Sequence, residues 1–115
     1  MPLSSEEKEF TSYVVSLMQS IGPVSAKFMF GGYGIFLEGL MFGLIADSVL
    51  YLKADKETEI EFKAKGLEKF TYNKKGKEFK MSYYQAPEEV IEDGEEMRSW
   101  AAKAYSAALR AASQK

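Results

Sequence analysis

The sequence predicts an α+β fold in a single domain over residues 1–115: an antiparallel sheet of about five strands with an N-terminal, a middle and a C-terminal helix. Apolar residues recur every three or four positions near both ends of the chain, as in amphipathic helices. Between these ends, short apolar runs alternate with turn signals, which indicates antiparallel strands. With 115 residues, of which 46% are hydrophobic, the chain can bury a core of its own.

The N-terminal helix is predicted from one apolar stripe. Ser4 is a candidate N-cap, and Glu7 stands at the spacing of a capping box. Gly22 and Pro23 end the helix, because glycine accepts the left-handed conformation at a helix end and proline cannot continue the helix. The stripe consists of Phe10, Tyr13, Val14, Leu17, Met18 and Ile21.

Three strands follow as a predicted meander over 27–37, 40–46 and 49–53. Glu38-Gly39 and Asp47-Ser48 read as tight turns between them. These connections are too short for crossovers, so the strands must be antiparallel. The middle strand is apolar on both faces and is therefore predicted to be central.

Three glycines, Gly31, Gly32 and Gly34, interrupt the first predicted strand. Glycine weakens a strand unless the backbone must bulge, bend or approach another group closely. We expect a bulged or strongly bent strand, with Phe30, Tyr33 and Phe36 around the bend. Contact with a ligand or a partner is the alternative. A phosphate-binding loop is disfavoured, because strand-like residues rather than a helix follow the glycines.

The second half of the chain predicts a helix, a hairpin and two more helices. Asp55 is a candidate N-cap for a helix from Lys56 to about Lys65, closed by Gly66, although residues 57–62 also alternate like a strand. Strands over 69–72 and 78–84 flank a turn at 73–76. Further predicted features are a short helix from Pro87 through Ile91, a final helix capped by Asp93 with Glu96 at capping-box spacing, and fraying over 111–115.

Composition excludes several classes of function. The chain has no cysteine and no histidine, which rules out zinc sites built on these ligands and Ser-His-Asp or Cys-His catalysis. We expect no cofactor, no metal and no enzymatic activity. The absence of cysteine, of a signal peptide and of an apolar run long enough for a membrane span favours a cytoplasmic protein without membrane contact.

The middle of the chain carries the positive charge. Residues 53–85 hold nine basic and six acidic residues, whereas the whole chain has a net charge of −2. Lys74, Lys75, Lys77 and Lys80 cluster on the predicted second hairpin, with Tyr72 and Tyr83 expected nearby. Lysines among aromatics can contact nucleic acid or an acidic protein. Lysines also protect exposed sheet edges, and this structural interpretation is the favoured one, with a contact to nucleic acid or an acidic protein as the alternative.

Two further features have structural and functional interpretations. The carboxylates of Glu88, Glu89, Glu92, Asp93, Glu95 and Glu96 could bind a hard cation, but they cluster where the positive ends of predicted helices favour them. Trp100 and Tyr105 belong to the apolar stripe of the last helix and are expected in the core. The alternative for these two aromatics is a dimer or partner surface, so a homodimer stays open.

The chain resembles the N-terminal domain of the TfoX (Sxy) family. The resemblance rests on ordered segments over nearly the whole chain: 30–35 (FGGYGI), 41–46 (MFGLIA), 50–53 (LYLK), 70–72 (FTY), 81–84 (MSYY) and 87–90 (PEEV). It implies an α+β domain linked to natural-competence genes in bacteria, in proteins that resemble transcriptional co-activators acting with the cyclic-AMP receptor protein. The family's better-known members carry a second, helical domain, for which we expect no room here. The resemblance supplies no catalytic residue.

Together these observations predict a non-enzymatic regulatory module that binds a protein from the transcription machinery or one of its regulators. Direct nucleic-acid binding through the lysine cluster is the alternative. A small enzyme using carboxylate, lysine or tyrosine chemistry is a further and weaker alternative.

Overall fold

The computed structural model describes residues 5–29 and 31–113. Ser4, Phe30 and residues 114–115, which carried predictions, lie outside this range. The helices are α1 (Ser5–Met18), α2 (Glu59–Ala64), α3 (Glu89–Glu92) and α4 (Gly94–Ser113), and Gln19–Ile21 forms a 3-10 turn after α1. The strands are β1 (Ser25–Met29), β2 (Gly32–Leu37), β3 (Leu40–Ala46), β4 (Val49–Lys53), β5 (Lys69–Lys74) and β6 (Lys77–Gln85).

The strands form one antiparallel sheet in the order β1-β2-β3-β4-β6-β5. The α+β class, the meander and the second hairpin are confirmed, but the described strands number six rather than about five. The single strand predicted over 27–37 was wrong. Gly31 lies at a φ of 76° in a turn, and Met29 pairs with Gly32 beyond it, so the glycine-rich stretch reverses the chain instead of bending one strand.

Three two-residue turns join consecutive strands at Glu38-Gly39, Asp47-Ser48 and Lys75-Gly76. All six residues have φ between 52° and 79°. Positive φ at both positions is what a type I′ hairpin requires, because its twist matches that of the strands. The first two turns are confirmed as predicted. The third turn is shorter than the predicted turn at 73–76, so β5 and β6 are longer than the predicted strands over 69–72 and 78–84.

A bulge lies in β3 at Phe42. Ile35 pairs with Gly43 and Phe36 with Met41, which leaves Phe42 as the extra residue. Its fully buried ring meets Tyr105 of α4 edge-on, with centroids 5.6 Å apart. This bulge lies on β3 and not in the glycine-rich stretch where a bulge was predicted, and it turns an additional aromatic side chain toward the helices.

The helices share one core with the sheet. Val14 and Met18 of α1 are fully buried, as the predicted stripe requires, whereas Tyr13 of the same stripe is 44% exposed. Trp100 of α4 is also buried, and its ring lies 5.1 Å from that of Phe62 in α2, so its core position is confirmed. None of the helices within residues 5–29 and 31–113 is long and apolar enough to cross a bilayer.

A side-chain cap stands at the start of α4, and another caps the turn that precedes α2. Oδ1 of Asp93 accepts hydrogen bonds from the N–H groups of Glu95 (2.8 Å) and Glu96 (3.4 Å), which confirms the predicted cap of α4. Asp55 accepts from the N–H of Thr58 at 3.2 Å in a turn, so α2 begins at Glu59 rather than at the predicted Lys56. At its other end, α4 continues through Ser113, beyond the start of the predicted fraying.

Glu7 has a long-range role, whereas its predicted capping box involves Ser4, which lies outside the described residues. Its side chain is buried, and its carboxylate accepts a hydrogen bond of 2.8 Å from the N–H of Ser48. Ser48 belongs to the turn between β3 and β4. The contact therefore fastens the first turns of α1 to the end of the central hairpin.

Candidate functional site on the open face of the sheet

One face of the sheet packs on the helices and the other, here called the open face, does not contribute to that core. Ile35, Leu50 and Leu52 point to the helices and are buried. Because side chains alternate along a strand, their neighbours point the other way. Cross-strand pairs such as Phe36–Met41 and Leu44–Tyr51 lie on the open face. This face is rich in methionine and aromatic residues.

A groove of about 370 Å³ lies in the open face. The hairpin β5–β6, here called the basic hairpin, forms one wall, and β1, β2 and β3 form the floor and the other wall. Leu44 in the floor is only 8% exposed. Among the described lining residues, Lys74 alone carries a charge. The groove is lined by Met29, Gly32, Tyr33, Met41, Leu44, Ile45, Ala46, Phe70, Tyr72, Asn73, Lys74 and Met81.

Two of the three predicted glycines shape this groove. A Cβ on Gly32 would lie 2.2 Å from the carbonyl oxygen of Ile45. A Cβ on Gly34 would lie 2.6 Å from Sδ of Met29 and 3.3 Å from Sδ of Met41. Both methionines line the groove, so glycine at position 34 lets their sulfur atoms lie against the backbone. Gly31 differs, because a Cβ there would meet nothing within 4 Å, and its positive φ serves the turn.

Aromatic rings continue along the open face toward the basic hairpin. The ring of Phe70 lies 4.9 Å from that of Tyr51 and 6.2 Å from that of Tyr72. Tyr72 is 41% exposed, so its ring is accessible at the groove. The buried Tyr83 lies further along β6, with its hydroxyl 3.5 Å from the carbonyl oxygen of Met41. Burial raises the pKa of Tyr83 to about 12, which keeps it neutral at physiological pH.

The four predicted lysines are all exposed but do not share one face. Lys74 and Lys77 pair across the hairpin, and Lys74 follows Tyr72 on the groove side. Lys80 pairs with Thr71 on the opposite side, and Lys75 occupies the turn. Among residues 5–29 and 31–113, the observed ion pairs involve none of these four lysines.

Charged groups on the helix side of the molecule stabilise the fold. The guanidinium of Arg110 holds the carboxylate of Asp55 through two hydrogen bonds, of 2.5 and 3.1 Å. The side-chain hydrogen bond from Arg110 lowers the pKa of Asp55 to about 2, against an opposing effect of partial burial. Arg110 also lies 3.1 Å from Glu57. These contacts join the end of α4 to the loop before α2.

The acidic run does not converge on one point. Asp93 caps α4, and Glu89 forms an ion pair with Lys65 at 3.0 Å. Within the part of the chain that the structure describes, no three acidic side chains are grouped in a way that could hold a metal ion. Asp93 therefore serves a helix start, as the structural interpretation predicted, and Glu89 serves surface pairing.

Two separate sequence features meet at the groove. Gly32 comes from the glycine-rich stretch and Lys74 from the lysine cluster, and both line the same cavity. The sequence analysis did not predict the methionine lining of the groove. The apolar residues on both faces of β3 could have indicated it, because a strand needs only one apolar face to pack on helices.

Comparison with known proteins covers the region that holds this groove. Residues 16–108 match the sequence model of the family described as TfoX N-terminal domain. The chain is 31% identical over 86 residues to the DNA transformation protein TfoX1 of Aliivibrio fischeri, which covers 75% of this chain and 39% of that protein. It is 33% identical over 90 residues to the DNA transformation protein TfoX of Haemophilus influenzae, and this match covers 77% of this chain and 42% of that protein. The chain thus spans about two fifths of the length of these curated relatives.

Proposed function

Because the chain belongs to the TfoX N-terminal domain family, we propose that it is a non-enzymatic regulatory module that contacts a partner protein in the control of DNA uptake. The observation that carries the proposal is the family match over residues 16–108, together with two relatives named as DNA transformation proteins. The matched region includes every described strand. We place the proposed partner contact on the surface of the sheet that these strands form.

The basic hairpin is the surface that best suits an acidic partner. The four lysines near its turn are exposed on a chain whose net charge is −2, so they form a local positive field; they are Lys74, Lys75, Lys77 and Lys80. A protein surface with carboxylates at matching positions would be attracted to them. We expect this partner to be a regulator of transcription, such as the cyclic-AMP receptor protein that the resemblance implies.

The residues available for chemistry support a non-enzymatic role. The sequence has no histidine or cysteine to shuttle protons or attack a substrate. Asp55 is committed to an ion pair, Asp93 to a helix cap and Glu7 to a buried hydrogen bond. Burial raises the pKa of Tyr83 to about 12, so this tyrosine is a poor base or acid at neutral pH.

The proposal is tested by reversing charge on the basic hairpin in the source cell. We expect Lys74→Glu, Lys75→Glu and Lys77→Glu together to lower the transformation frequency and to abolish affinity capture of the partner. The matched control reverses three exposed lysines elsewhere, Lys8, Lys27 and Lys56, and so changes net charge equally.

The control variant should behave like the unmodified protein in both assays. Circular dichroism must show that both variants fold. If the hairpin variant is folded and still supports capture and transformation, the basic hairpin is not the partner surface. If deletion of the whole gene leaves transformation unchanged, the proposed role in DNA uptake is wrong.

Direct nucleic-acid binding is the second candidate, and the accessible ring of Tyr72 beside Lys74 favours it. Lysine and an exposed aromatic can engage a single strand by charge and stacking. This candidate predicts affinity that falls steeply as salt increases. A mobility-shift titration at about 50 mM salt tests it, and absence of a shift with both single-stranded and duplex DNA would reject it.

A further inference from the structure

We propose that the groove in the open face binds a small anion with an apolar body, of the medium-chain or aryl carboxylate class. The apolar body would lie on the methionine and aromatic lining, and the acid group would meet Lys74 and Lys77 of the basic hairpin. This site does not depend on the protein contact proposed above.

The lining suits an apolar body of variable shape. Met29, Met41 and Met81 converge on the groove from three different strands. Methionine side chains are flexible and polarizable, and they adapt to irregular apolar ligands. Phe70 and Tyr72 supply flat surfaces on the wall, and Leu44 closes the floor. A surface of this kind gains free energy when a ligand removes it from water.

The charge at the groove specifies an anion. Lys74 lines the groove, and Lys77 pairs with it across the hairpin on the same side. Like charges directly opposite each other on a hairpin destabilise it. A carboxylate between the two ammonium groups would relieve this repulsion and gain charge-assisted hydrogen bonds.

The size of the groove indicates a small ligand. Its volume of about 370 Å³ lies near the lower end of the range for small-molecule sites, about 300–1,000 Å³. That space holds a short acyl chain or one aromatic ring system. Gly32 and Gly34 contribute to it, because a side chain at either position would collide with the floor or displace the methionines.

The experiment uses the native methionines as reporters, with octanoate as the probe. In protein labelled with 13C-methyl methionine, octanoate should shift the methyl signals of Met29, Met41 and Met81. The fully buried Met18 and Met97 belong to the helix-side core and should not move. We expect saturation with a Kd of about 0.1–1 mM. The uncharged match, 1-octanol, should bind several-fold more weakly.

Two single variants separate the anion from the apolar body. Lys74→Glu should weaken octanoate binding about three- to tenfold, and Lys80→Glu, on the other side of the hairpin, should change it less than about twofold. Ala46→Phe should fill the groove and remove octanoate binding.

The proposal is overturned if octanoate up to about 10 mM gives no saturable shift of the groove methyls. It is also overturned if the core methyls shift equally, or if Lys74→Glu and Lys80→Glu have the same effect. The titration of the unmodified protein decides the matter even if a variant fails to fold.

Discussion

Sδ of Met29 lies 2.6 Å from the point that a Cβ atom on Gly34 would occupy. The two residues belong to neighbouring strands, β1 and β2, and the methionine crosses over the glycine on the open face. The shape of the backbone at this point is therefore tied to the shape of the groove. A side chain added to Gly34 would press on the end of a flexible methionine, whereas one added to Gly32 would press on a backbone oxygen.

We expect Gly34→Ala to destabilise the protein by about 1–3 kcal/mol, because Met29 and the ring of Phe36 must shift. Gly32→Ala should cost about 3 kcal/mol or more, since the carbonyl of Ile45, 2.2 Å away, cannot move without breaking the sheet. Urea unfolding of both variants checks the order. Equal losses for the two variants would contradict this account of the glycines.

The hydrogen bond between Glu7 and Ser48 should contribute measurably to stability. Glu7→Ala leaves the N–H of Ser48 without its carboxylate partner, which should cost about 1–3 kcal/mol. The neighbouring Glu6 is exposed, and Glu6→Ala should change stability by less than about 0.5 kcal/mol. Thermal unfolding of the pair measures the difference, and a Glu7→Ala variant as stable as Glu6→Ala would show that the contact is dispensable.

Phe62 should be a major core residue in spite of its place on a very short helix. Its ring lies 5.3 Å from that of Tyr84 and 5.1 Å from that of Trp100. Phe62→Ala should destabilise the fold by about 3–5 kcal/mol, because it leaves a cavity among these rings. Ile60 on the same helix is 68% exposed, and Ile60→Ala should cost under about 0.5 kcal/mol. Similar unfolding midpoints for the two variants would refute the assignment.

The pair of Asp55 and Arg110 should make stability depend on pH in the acid range. Because the pKa of Asp55 falls from 3.8 to about 2 on folding, its contribution is complete above about pH 4 and is lost as the pH falls toward 2. We expect Asp55→Asn to be less stable than the unmodified protein by about 1 kcal/mol at pH 6, and by much less at pH 2. Chemical unfolding at both pH values tests this, and a pH-independent difference would contradict it.

Much of the fold was predictable because its signals are local. The turns at Glu38-Gly39 and Asp47-Ser48, the cap at Asp93 and the stripe that buries Val14 and Met18 each depend on residues close in sequence. These signals are chemical, namely short polar or glycine pairs between apolar runs and apolar residues at helical spacing. They predict the α+β class, and they place β3 and β4 at their observed bounds.

The rest depended on contacts between distant residues. Gly31 stands between apolar neighbours, and its role as a turn rather than a bend is decided by the pairing of Met29 with Gly32. The groove exists because Phe70 and Tyr72 of β5 lie across from Met29 of β1, at opposite edges of the sheet order. No periodicity in a single segment carries that information. The lysine cluster was visible as composition, but its division between two faces needed the register of β5 and β6.

The order of the strands has a consequence for how quickly the chain folds. Each of β1 to β3 pairs with its successor, so the entropy of loop closure is small at each of these steps. The pairing of β4 with β6 is the longer connection, since it spans α2 and β5. Proteins dominated by short-range pairings fold faster than those that join distant segments. We therefore expect rapid assembly of the meander, with the contact between α1 and α4, from opposite ends of the chain, as the late step that closes the core.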